Sequence, residues 1–305
     1  MAEFGLALPN TGFDENFSFR DIVNLAKTAE RLGYNHVWVF DRLFHKTAPV
    51  LEPFTLLSHV ASVTSRVKLG TSVAILTYRN PFLLAKTIAT LDVLSNGRTI
   101  LGVSLGRNEN EFMSNGVQPS KKVRVFIDSL KIMKALWAGE PVTYEGLYWK
   151  AVDAVELPPP VQKPHPPILI GGAAEGALRR AGKHADGWIA GGMNTAEEVR
   201  DKYQIVLNSA HESGKLRRPI LAKTLYVSVS NQEDSARQYV AECFRRYYGA
   251  EVDVSRFAAI GDPVKCANII RRLIEVGVEM IAIAPLPATQ EHVETIWTKV
   301  VESLR

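Results

Sequence analysis

Four short apolar stretches in the first third of the chain decide the fold: FGLALP (residues 4–9), HVWVF (36–40), KLGTSVAIL (68–76) and TILGVSL (99–105). They begin 32, 32 and 31 residues apart. The segments between them, such as Asp21–Leu32, place apolar residues three and four positions apart, which is the spacing of an amphipathic helix. A strand, a helix and a second strand within about 30 residues form the βαβ unit of parallel sheets.

The second half of the chain continues this alternation. Four more strands are predicted at 167–171, 188–190, 220–229 and 282–284. Further helices are predicted at 175–184, 233–247 and 292–304, with another that begins at Thr195 and carries Glu198 in a capping box. Eight strands with helices between them predict an α/β protein, a single (β/α)8 TIM barrel in one domain over residues 1–305.

Glycine recurs where a predicted helix gives way to a strand. It occupies positions 33, 97, 187 and 277. Glycine just past a helix end adopts the left-handed conformation without a steric penalty. We therefore expect left-handed backbone at Gly33, Gly97, Gly187 and Gly277.

One segment interrupts the rhythm. Residues 139–166 contain six prolines, which excludes a helix. Val142–Trp149 is typical of a small hairpin that turns at Glu145-Gly146. We interpret 139–166 as an insertion before the fifth strand of the barrel.

Composition excludes several classes of protein. The chain has 36 Lys and Arg residues and 32 Asp and Glu residues, so its basic excess is small. We interpret the basic clusters, such as Arg179, Arg180 and Lys183, as solvated helix faces rather than a nucleic-acid site. The seven histidines and two cysteines are scattered, which argues against a metal site or a disulfide framework. No apolar run approaches a membrane span, and the first residues do not resemble a secretory signal. We expect a cytoplasmic protein that acts on a small molecule.

Active sites of (β/α)8 barrels lie at the carboxyl ends of the strands. The polar and glycine residues predicted there include Asn10, Asp41, Arg42, His45, Glu109, Asn110, Gly171, Gly172, Gly191, Gly192 and Met193. Two glycine pairs stand before helices, where backbone amides bind phosphate well. The glycines could equally serve only to make tight turns between strand and helix.

Several motifs, taken in order, closely resemble the luciferase-like monooxygenase family. They are Tyr78–Arg98, the region from Leu101 to Phe112, Leu136–Val142, Pro164–Gly172 and Ala185–Trp188. The resemblance covers nearly the whole chain. It implies a (β/α)8 barrel with an insertion near the fifth strand, as the periodicity does.

The resemblance also implies a cofactor. Members use reduced FMN, often supplied by a flavin reductase, or the deazaflavin coenzyme F420, and Tyr78-Arg79-Asn80-Pro81 looks more like the deazaflavin branch. It implies an F420-dependent oxidoreductase that transfers hydride to or from a small organic substrate. An FMN-dependent monooxygenase that uses molecular oxygen is the alternative, and a non-catalytic flavin-binding barrel or partner subunit is the third. We expect a homo-oligomer, a dimer.

Carried over to this chain, the resemblance implies roles for particular residues. Cofactor binding falls to Asn10, Ser72, Val73, Asn110, Gly171, Gly172, Ala173, Gly191, Gly192 and Met193, with the glycine pairs near the phosphate. Ser72 and Val73 match a bulge behind the isoalloxazine ring, commonly with a non-proline cis peptide. A regular trans strand is the alternative there.

The catalytic candidates are Asp41, Arg42, His45 and Glu109. Arg42 departs from the family, because many relatives have histidine there, and arginine does not readily donate a proton. Arg42 could instead form a surface salt bridge with Asp41 or Glu52. Asp41 could cap a turn, His45 could only pack its loop, and Glu109 could only complement a helix dipole.

Overall fold

A computed structural model of the chain describes residues 2–14 and 18–305. The strands are β1 (Glu3–Ala7), β2 (His36–Val39), β3 (Lys68–Thr71), β4 (Ala74–Ile75), β5 (Thr99–Ser104), β6 (Val142–Glu145), β7 (Lys150–Ala154), β8 (Ile168–Gly171), β9 (Gly187–Ala190), β10 (Ile220–Val229), β11 (Ala259–Gly261) and β12 (Met280–Pro285). The α-helices are α1 (Ile22–Leu32), α2 (Pro53–Val63), α3 (Pro81–Leu94), α4 (Glu109–Ser114), α5 (Lys122–Trp137), α6 (Glu175–His184), α7 (Ala196–Glu212), α8 (Glu233–Tyr248), α9 (Pro263–Glu275) and α10 (Gln290–Ile296).

Eight of these strands close into a parallel barrel, which confirms the predicted TIM-barrel fold. The order around the barrel is β1, β2, β3, β5, β8, β9, β10 and β12, and β12 pairs back onto β1. The short β4 continues the third strand and pairs with β5. All eight strands of the closed barrel coincide with strands predicted from the sequence.

The floor of the barrel is filled by two large side chains of β2. His36 and Trp38 are fully buried, and the Trp38 indole donates a hydrogen bond to His36 Nδ1. Glycines on the neighbouring strands make room for them. A Cβ at Gly5 would lie 1.7 Å from His36 Nδ1, and one at Gly70 would lie 2.3 Å from the Trp38 ring. The barrel is therefore closed below, and a ligand can enter only from the carboxyl ends of the strands.

The glycines before strands are not all alike. Gly33, Gly97 and Gly277 have φ values of 98°, 78° and 97°, so the left-handed prediction is confirmed for them. Gly187 is different, because it is the first residue of β9 and does not have positive φ. A Cβ there would lie 2.2 Å from the Ile220 carbonyl oxygen, so close strand packing explains this glycine.

The segment between α5 and β8 contains the predicted hairpin, with a different turn. β6 and β7 pair in antiparallel fashion, and Gly146 N–H donates to the Trp149 carbonyl at 2.9 Å. The turn therefore spans 146–149, and the second strand begins only at Lys150. The predicted turn at Glu145-Gly146 was wrong, because Glu145 is the last residue of β6 and pairs with Lys150. None of the residues of β6 and β7 is buried, so a hydrophobic face does not fix the register of this hairpin.

The region after β10 is more elaborate than the sequence pattern predicted. The predicted helix at 233–247 exists as α8, but β11 and α9 follow it before the last barrel strand. β11 pairs with the end of β10, and α9 packs against the barrel as its seventh helix. α8 is thus an additional helix, and its carboxyl end reaches the open end of the barrel. The predicted closing helix consists of α10, a π-helical turn at Trp297–Val301 and a final 3₁₀ turn.

Candidate active site

A cavity of about 710 Å³ opens at the carboxyl ends of the barrel strands. One side, here called the glycine side, is formed by the residues that follow β3, β5, β8 and β9. The opposite side, here called the aromatic side, is formed by the ends of β10, β12, β1 and β2 together with the end of α8. The two sides differ in chemistry, because backbone dominates the first and side chains dominate the second.

Two loops on the glycine side present backbone amides to the cavity. We call Gly171–Ala174 and Gly191–Met193 the anion cradle. The first loop leads into α6, whose N-cap residue Ala174 makes no side-chain capping bond. A helix of 10 residues that begins without a cap offers its first N–H groups to a ligand, and its dipole favours an anion.

The second glycine pair does not stand at an open helix N-terminus, as the sequence analysis expected for both pairs. The predicted capping box of α7 is present, because Thr195 Oγ1 accepts from Glu198 N–H and the Glu198 carboxylate accepts from Thr195 N–H. The capping box therefore supplies hydrogen-bond partners within the protein at the N-terminus of α7. Gly191 and Gly192 precede the N-cap residue Thr195 by four and three residues. They therefore line the cavity as part of a loop and not as part of a helix N-terminus.

An arginine that the sequence analysis placed on a solvated face lines the anion cradle. Arg180, on α6, borders the cavity beside Gly172 and Ala173. Its buried Nε has no hydrogen-bond partner among residues 2–14 and 18–305. A buried donor without a partner is uncommon, and it suits an anionic ligand next to the uncapped helix.

The floor of the glycine side is the bulge at Ser72 and Val73. The peptide bond between them is cis, which confirms the prediction. Ser72 Oγ lies 2.9 Å from Thr224 Oγ1 across the barrel. A Cβ at Gly171 would lie 3.0 Å from the Val73 side chain, so a larger residue there would require Val73 to move by a few tenths of an ångström.

Asp41 is one of the acidic groups that line the cavity. Its side chain is 4% exposed, and Oδ2 accepts from Ile75 N–H at 2.8 Å and from Arg79 Nη1 at 2.7 Å. Burial raises the pKa of Asp41, and the neighbouring Arg79 guanidinium acts in the opposite direction. Arg79 also pairs with Glu52 at 3.1 Å. The carboxylate is thus rigidly oriented at the junction of the two sides.

Arg42 does not form the predicted alternative, a surface salt bridge with Asp41 or Glu52; both carboxylates pair with Arg79 instead. Its guanidinium carbon lies 5.5 Å from the centre of the Tyr247 ring, in a cation–π arrangement. Arg42 lines the aromatic side of the cavity. It therefore places a positive charge beside the aromatic rings.

Four rings make the aromatic wall of the cavity: Phe13, Tyr226, Tyr247 and Tyr248. The centre of the Phe13 ring lies 5.5 Å from that of Tyr226 and 5.0 Å from that of Tyr247. Tyr247 and Tyr248 are 5.0 Å apart. These separations are typical of favourable aromatic pairs, so the wall is a packed surface rather than a set of loose side chains.

His45 lies outside the cavity lining and joins the loop after β2 to the end of α8 instead. Its Nδ1 accepts from the N–H groups of Thr47 and Ala48 at 3.3 and 3.0 Å, and Nε2 lies 3.1 Å from the Tyr247 carbonyl oxygen. Because Nδ1 accepts, Nε2 carries the proton and donates. Burial and the nearby Arg42 lower the pKa of His45, which favours this neutral form. The packing alternative therefore describes His45 better than a catalytic role.

Three other predicted site residues also lie outside the lining of the cavity. Asn10 is fully buried, and its carboxamide forms hydrogen bonds of 2.8 to 3.1 Å with backbone groups of Phe40 and Leu51. Glu109 and Asn110 are exposed in the first turn of α4. Glu111, two residues further and so on another face of the helix, lines the cavity and is 3% exposed.

The other predicted residues meet at the cavity: Asp41, Arg42, Ser72, Val73, Gly171, Gly172, Ala173, Gly191, Gly192 and Met193. Sequence reasoning missed Arg180, the aromatic wall and Lys223, which stands behind the cradle. For Lys223 a signal existed, since a lysine inside the apolar run ILAKTLYVSV (220–229) is unusual in a buried strand. The described residues hold no group of three or more His, Cys, Asp or Glu side chains suited to a metal ion. Among the helices of the described ranges, none combines the length and apolarity needed to span a bilayer.

With this geometry in view, comparison with known proteins identifies the family. The sequence profile of the luciferase-like monooxygenases matches residues 2–253. The chain belongs to the luciferase-like monooxygenase family. The family resemblance drawn from the sequence motifs is therefore confirmed.

Individual relatives of this family cover the chain to different extents. The chain is 32% identical over 299 residues to an F420-dependent glucose-6-phosphate dehydrogenase of Beutenbergia cavernae, covering 94% of this chain and 85% of the relative. It is 41% identical over 140 residues to an uncharacterized protein of Mycobacterium tuberculosis, covering 46% of this chain and 49%, about half, of that protein's length.

A solved structure shows the same fold at lower sequence identity. The F420-dependent secondary alcohol dehydrogenase in complex with an F420-acetone adduct superimposes with a TM-score of 0.86. The superposition covers 100% of this chain and 99% of the other, at 19% identity. At this identity the likeness concerns the fold of the luciferase-like barrel alone.

Proposed function

We propose that this protein is an F420-dependent oxidoreductase that transfers hydride between the deazaflavin coenzyme and a small organic substrate. The observation that carries the proposal is the cavity at the open end of the barrel, with an anion cradle on one side and an aromatic wall on the other. The similarity to an F420-dependent glucose-6-phosphate dehydrogenase over 94% of this chain favours F420 over FMN.

The glycine side fits a phosphorylated, planar cofactor. The uncapped start of α6 and the unpartnered Arg180 Nε suit the phosphate, and the bulge at Ser72–Val73 offers a flat backbone surface for a ring. When bound there, the deazaflavin would supply the hydride chemistry. FMN carries a phosphate too and fits the same cradle, so the two cofactors are to be separated by experiment.

Asp41 is our candidate for proton transfer to or from the substrate. Its side chain is only 4% exposed and lines the cavity, and Oδ1 makes no hydrogen bond to the described residues. Burial raises its pKa toward the range in which a carboxyl can exchange a proton. Arg42 cannot take this role, and we propose that it stabilises negative charge on the oxygen of the substrate.

The aromatic side limits the substrate class. Its lining consists mainly of the aromatic wall with Ala284, Leu286 and Ala288. Arg79 pairs with Asp41 there, and the charged lining of this side further includes Arg42 and the buried Asp14, whose carboxylate accepts from the Tyr239 hydroxyl and the Ala288 N–H. A sugar phosphate needs several cations, whereas an alcohol or carbonyl compound with an apolar body needs one polar contact and an apolar surface. We therefore propose an uncharged, mainly apolar alcohol or carbonyl substrate.

The test is a cofactor and substrate screen on the purified protein. F420 and FMN are titrated by fluorescence, and turnover is then measured with apolar secondary alcohols and with sugar phosphates, with and without oxygen. We expect F420 to bind, and turnover of apolar alcohols that does not require oxygen. Oxygen-dependent turnover with reduced FMN would favour the monooxygenase alternative. Binding without any turnover would favour a non-catalytic barrel.

A further inference from the structure

A buried lysine stands directly behind the anion cradle. Lys223 lies in the middle of β10 and is 1% exposed. Its neighbours Ala222 and Thr224 face the interior of the barrel, so the Lys223 side chain lies on the outer face with Leu221 and Leu225. The ammonium reaches up to the loop after β9 and donates to the carbonyl oxygens of Gly191, Gly192 and Thr224, at 3.1, 3.3 and 3.0 Å.

These bonds, together with the bond from the Asn194 N–H to the Gly191 carbonyl at 3.2 Å, determine which way the loop amides point. In a trans peptide the C=O and the N–H that follows it point in opposite directions. The carbonyls of Gly191 and Gly192 are directed to Lys223 outside the barrel, which directs the N–H groups of Gly192 and Met193 toward the cavity. Within the described part of the chain, these two N–H groups donate to no protein acceptor. They are available to a ligand.

The other loop of the cradle is held in the same manner by a neutral donor. The indole Nε1 of Trp188, on the outer face of β9, donates to the Gly172 carbonyl at 2.8 Å. The same peptide geometry directs the Ala173 N–H away from Trp188. Both loops therefore have their carbonyls bound from behind, one by a neutral indole and the other by an ammonium group.

The positive charge of Lys223 has no close anionic partner. No carboxylate of residues 2–14 or 18–305 lies within ion-pair distance of its ammonium. Burial lowers the pKa of Lys223 to about 7, and the Glu198 carboxylate, further away, acts in the opposite direction. A buried charge without a counter-ion is costly, so an anion in front of the loop would stabilise it.

We infer that Lys223 is a positioning residue for the phosphate of the cofactor. It orients the amides of Gly192 and Met193 toward the anion and supplies a positive charge behind them. The inference rests on the proposed function only in requiring a phosphate-bearing cofactor, whether a deazaflavin or a flavin. Lys223 does not touch the cofactor, because the loop lies between them.

The test compares ligands with and without the phosphate. Dissociation constants are measured for FMN and riboflavin, and for F420 and its phosphate-free chromophore, with the wild type and with Lys223→Met. We expect the variant to weaken FMN and F420 binding by about tenfold or more, and to leave riboflavin and the phosphate-free chromophore within about twofold. The FMN pair gives an answer even if F420 is not the physiological cofactor.

Lys134→Met is the matched control. Lys134 is also a largely buried lysine with a lowered pKa, and its ammonium donates to the His184 carbonyl at 2.9 Å, away from the cavity. This variant should change none of the four dissociation constants. Lys223→Gln keeps an N–H donor without the charge and is used with the same ligands if the Met variant does not fold.

Several results would overturn the inference. Equal weakening of phosphate-bearing and phosphate-free ligands would assign Lys223 to the general shape of the barrel. Unchanged FMN and F420 binding in a folded Lys223→Met protein would remove it from the cradle. Failure of both Lys223 variants to fold, seen as loss of the thermal transition, would assign it to stability alone.

Discussion

The glycine side and the aromatic side of the cavity are built by opposite means. On the glycine side, glycine-rich loops bring backbone amides to the cavity, and the buried donors Trp188 and Lys223 bind carbonyls of these loops from behind. On the aromatic side, the end of α8 and the loops after β1 and β2 contribute rings and the Arg42 guanidinium.

This difference indicates how the two halves can change. Backbone amides recognise a phosphate whatever the neighbouring side chains are, so the glycine side suits a cofactor shared by relatives. Side chains on an additional helix can be replaced without altering the barrel, so the aromatic side suits a substrate particular to this protein. Variants on each side should therefore affect different measured constants.

The largest expected effect lies where the two sides meet. Asp41→Asn keeps the shape of the side chain and its bond to Ile75 N–H but removes the charge and the proton acceptor. We expect kcat to fall by about 10²-fold, with cofactor affinity little changed. Steady-state kinetics with saturating cofactor check this expectation.

Glu52→Gln is the control for Asp41, because Glu52 is the other partner of Arg79 and is more exposed. We expect its kcat to stay close to that of the wild type. If Asp41→Asn lowered the melting temperature but kept full turnover, Asp41 would contribute to stability alone. The proposed role in proton transfer would then be wrong.

The next effect concerns the glycine side. Gly172 has φ of 130°, and a Cβ there would lie 2.9 Å from Ala177 Cβ. Gly172→Val should raise the dissociation constant of the cofactor by more than about tenfold, since a branched residue at positive φ costs ~1–3 kcal/mol and shifts the loop. The KM of the substrate at saturating cofactor should change little.

Gly116→Val provides the matched control for Gly172. Gly116 also has positive φ, of 70°, but no atom lies within 4 Å of a Cβ built there. Its strain should lower stability without changing cofactor affinity. Identical cofactor affinity in wild type and in a folded Gly172→Val protein would exclude this loop from the cofactor site.

A smaller effect is expected on the aromatic side. Tyr247→Leu removes a ring that packs against Phe13 and Tyr248 and lies below Arg42. We expect the KM of an apolar substrate to rise about three- to tenfold, the range of one aromatic pair, with cofactor affinity unchanged. Tyr144→Leu, in the surface hairpin, should change neither constant. A loss of cofactor affinity in Tyr247→Leu would show that the two sides are not separate.

The smallest effect is a pH dependence of the aromatic side. His45 Nδ1 accepts from the N–H groups of Thr47 and Ala48 only while it is unprotonated, and these two bonds orient the ring whose Nε2 donates to the Tyr247 carbonyl at the end of α8. The pKa of His45 lies below the usual 6.5, so the two bonds to Nδ1 are intact above that pH and are lost as the pH falls toward the lowered pKa. The KM should then rise by about two- to threefold, the value of one hydrogen bond.

The matched variant is His45→Gln, which can still donate to the Tyr247 carbonyl but does not titrate. Its KM should not show the rise between neutral and mildly acidic pH that the wild type shows. Cofactor affinity should be insensitive to His45 in both proteins. The same pH profile in wild type and variant would assign the rise to another group.

Much of the fold could be predicted from local patterns. The strand spacing of about 31 residues, the helices of period 3.6 and the capping box at Thr195 are short-range signals, and each of them was confirmed. The hairpin turn was predicted at the wrong position and β11 was not predicted, because an exposed hairpin and a three-residue strand carry little hydrophobic pattern. The sequence analysis also missed α9, although its buried residues Cys266, Ala267, Ile270 and Leu273 lie at helical spacing.

The residues of the candidate site also divide into those that local sequence patterns predict and those that they do not. Glycine pairs after strands are visible in the sequence because the turn itself requires them, and both pairs line the cavity. Glu109 and Glu111 could not be told apart without knowing how α4 packs. Arg180 was indistinguishable from its neighbour Arg179, since only the packing of α6 directs one of them to the cavity.

The sequence by itself determined the barrel, the family and the backbone elements of the glycine side, because these depend on residues close together in the chain. Only the tertiary structure decided which side chains meet across the cavity. Tyr247 stands over 200 residues from His45, and Lys223 lies some 30 residues from the loop that it binds. Such contacts depend on how the barrel closes, and local periodicity does not encode them.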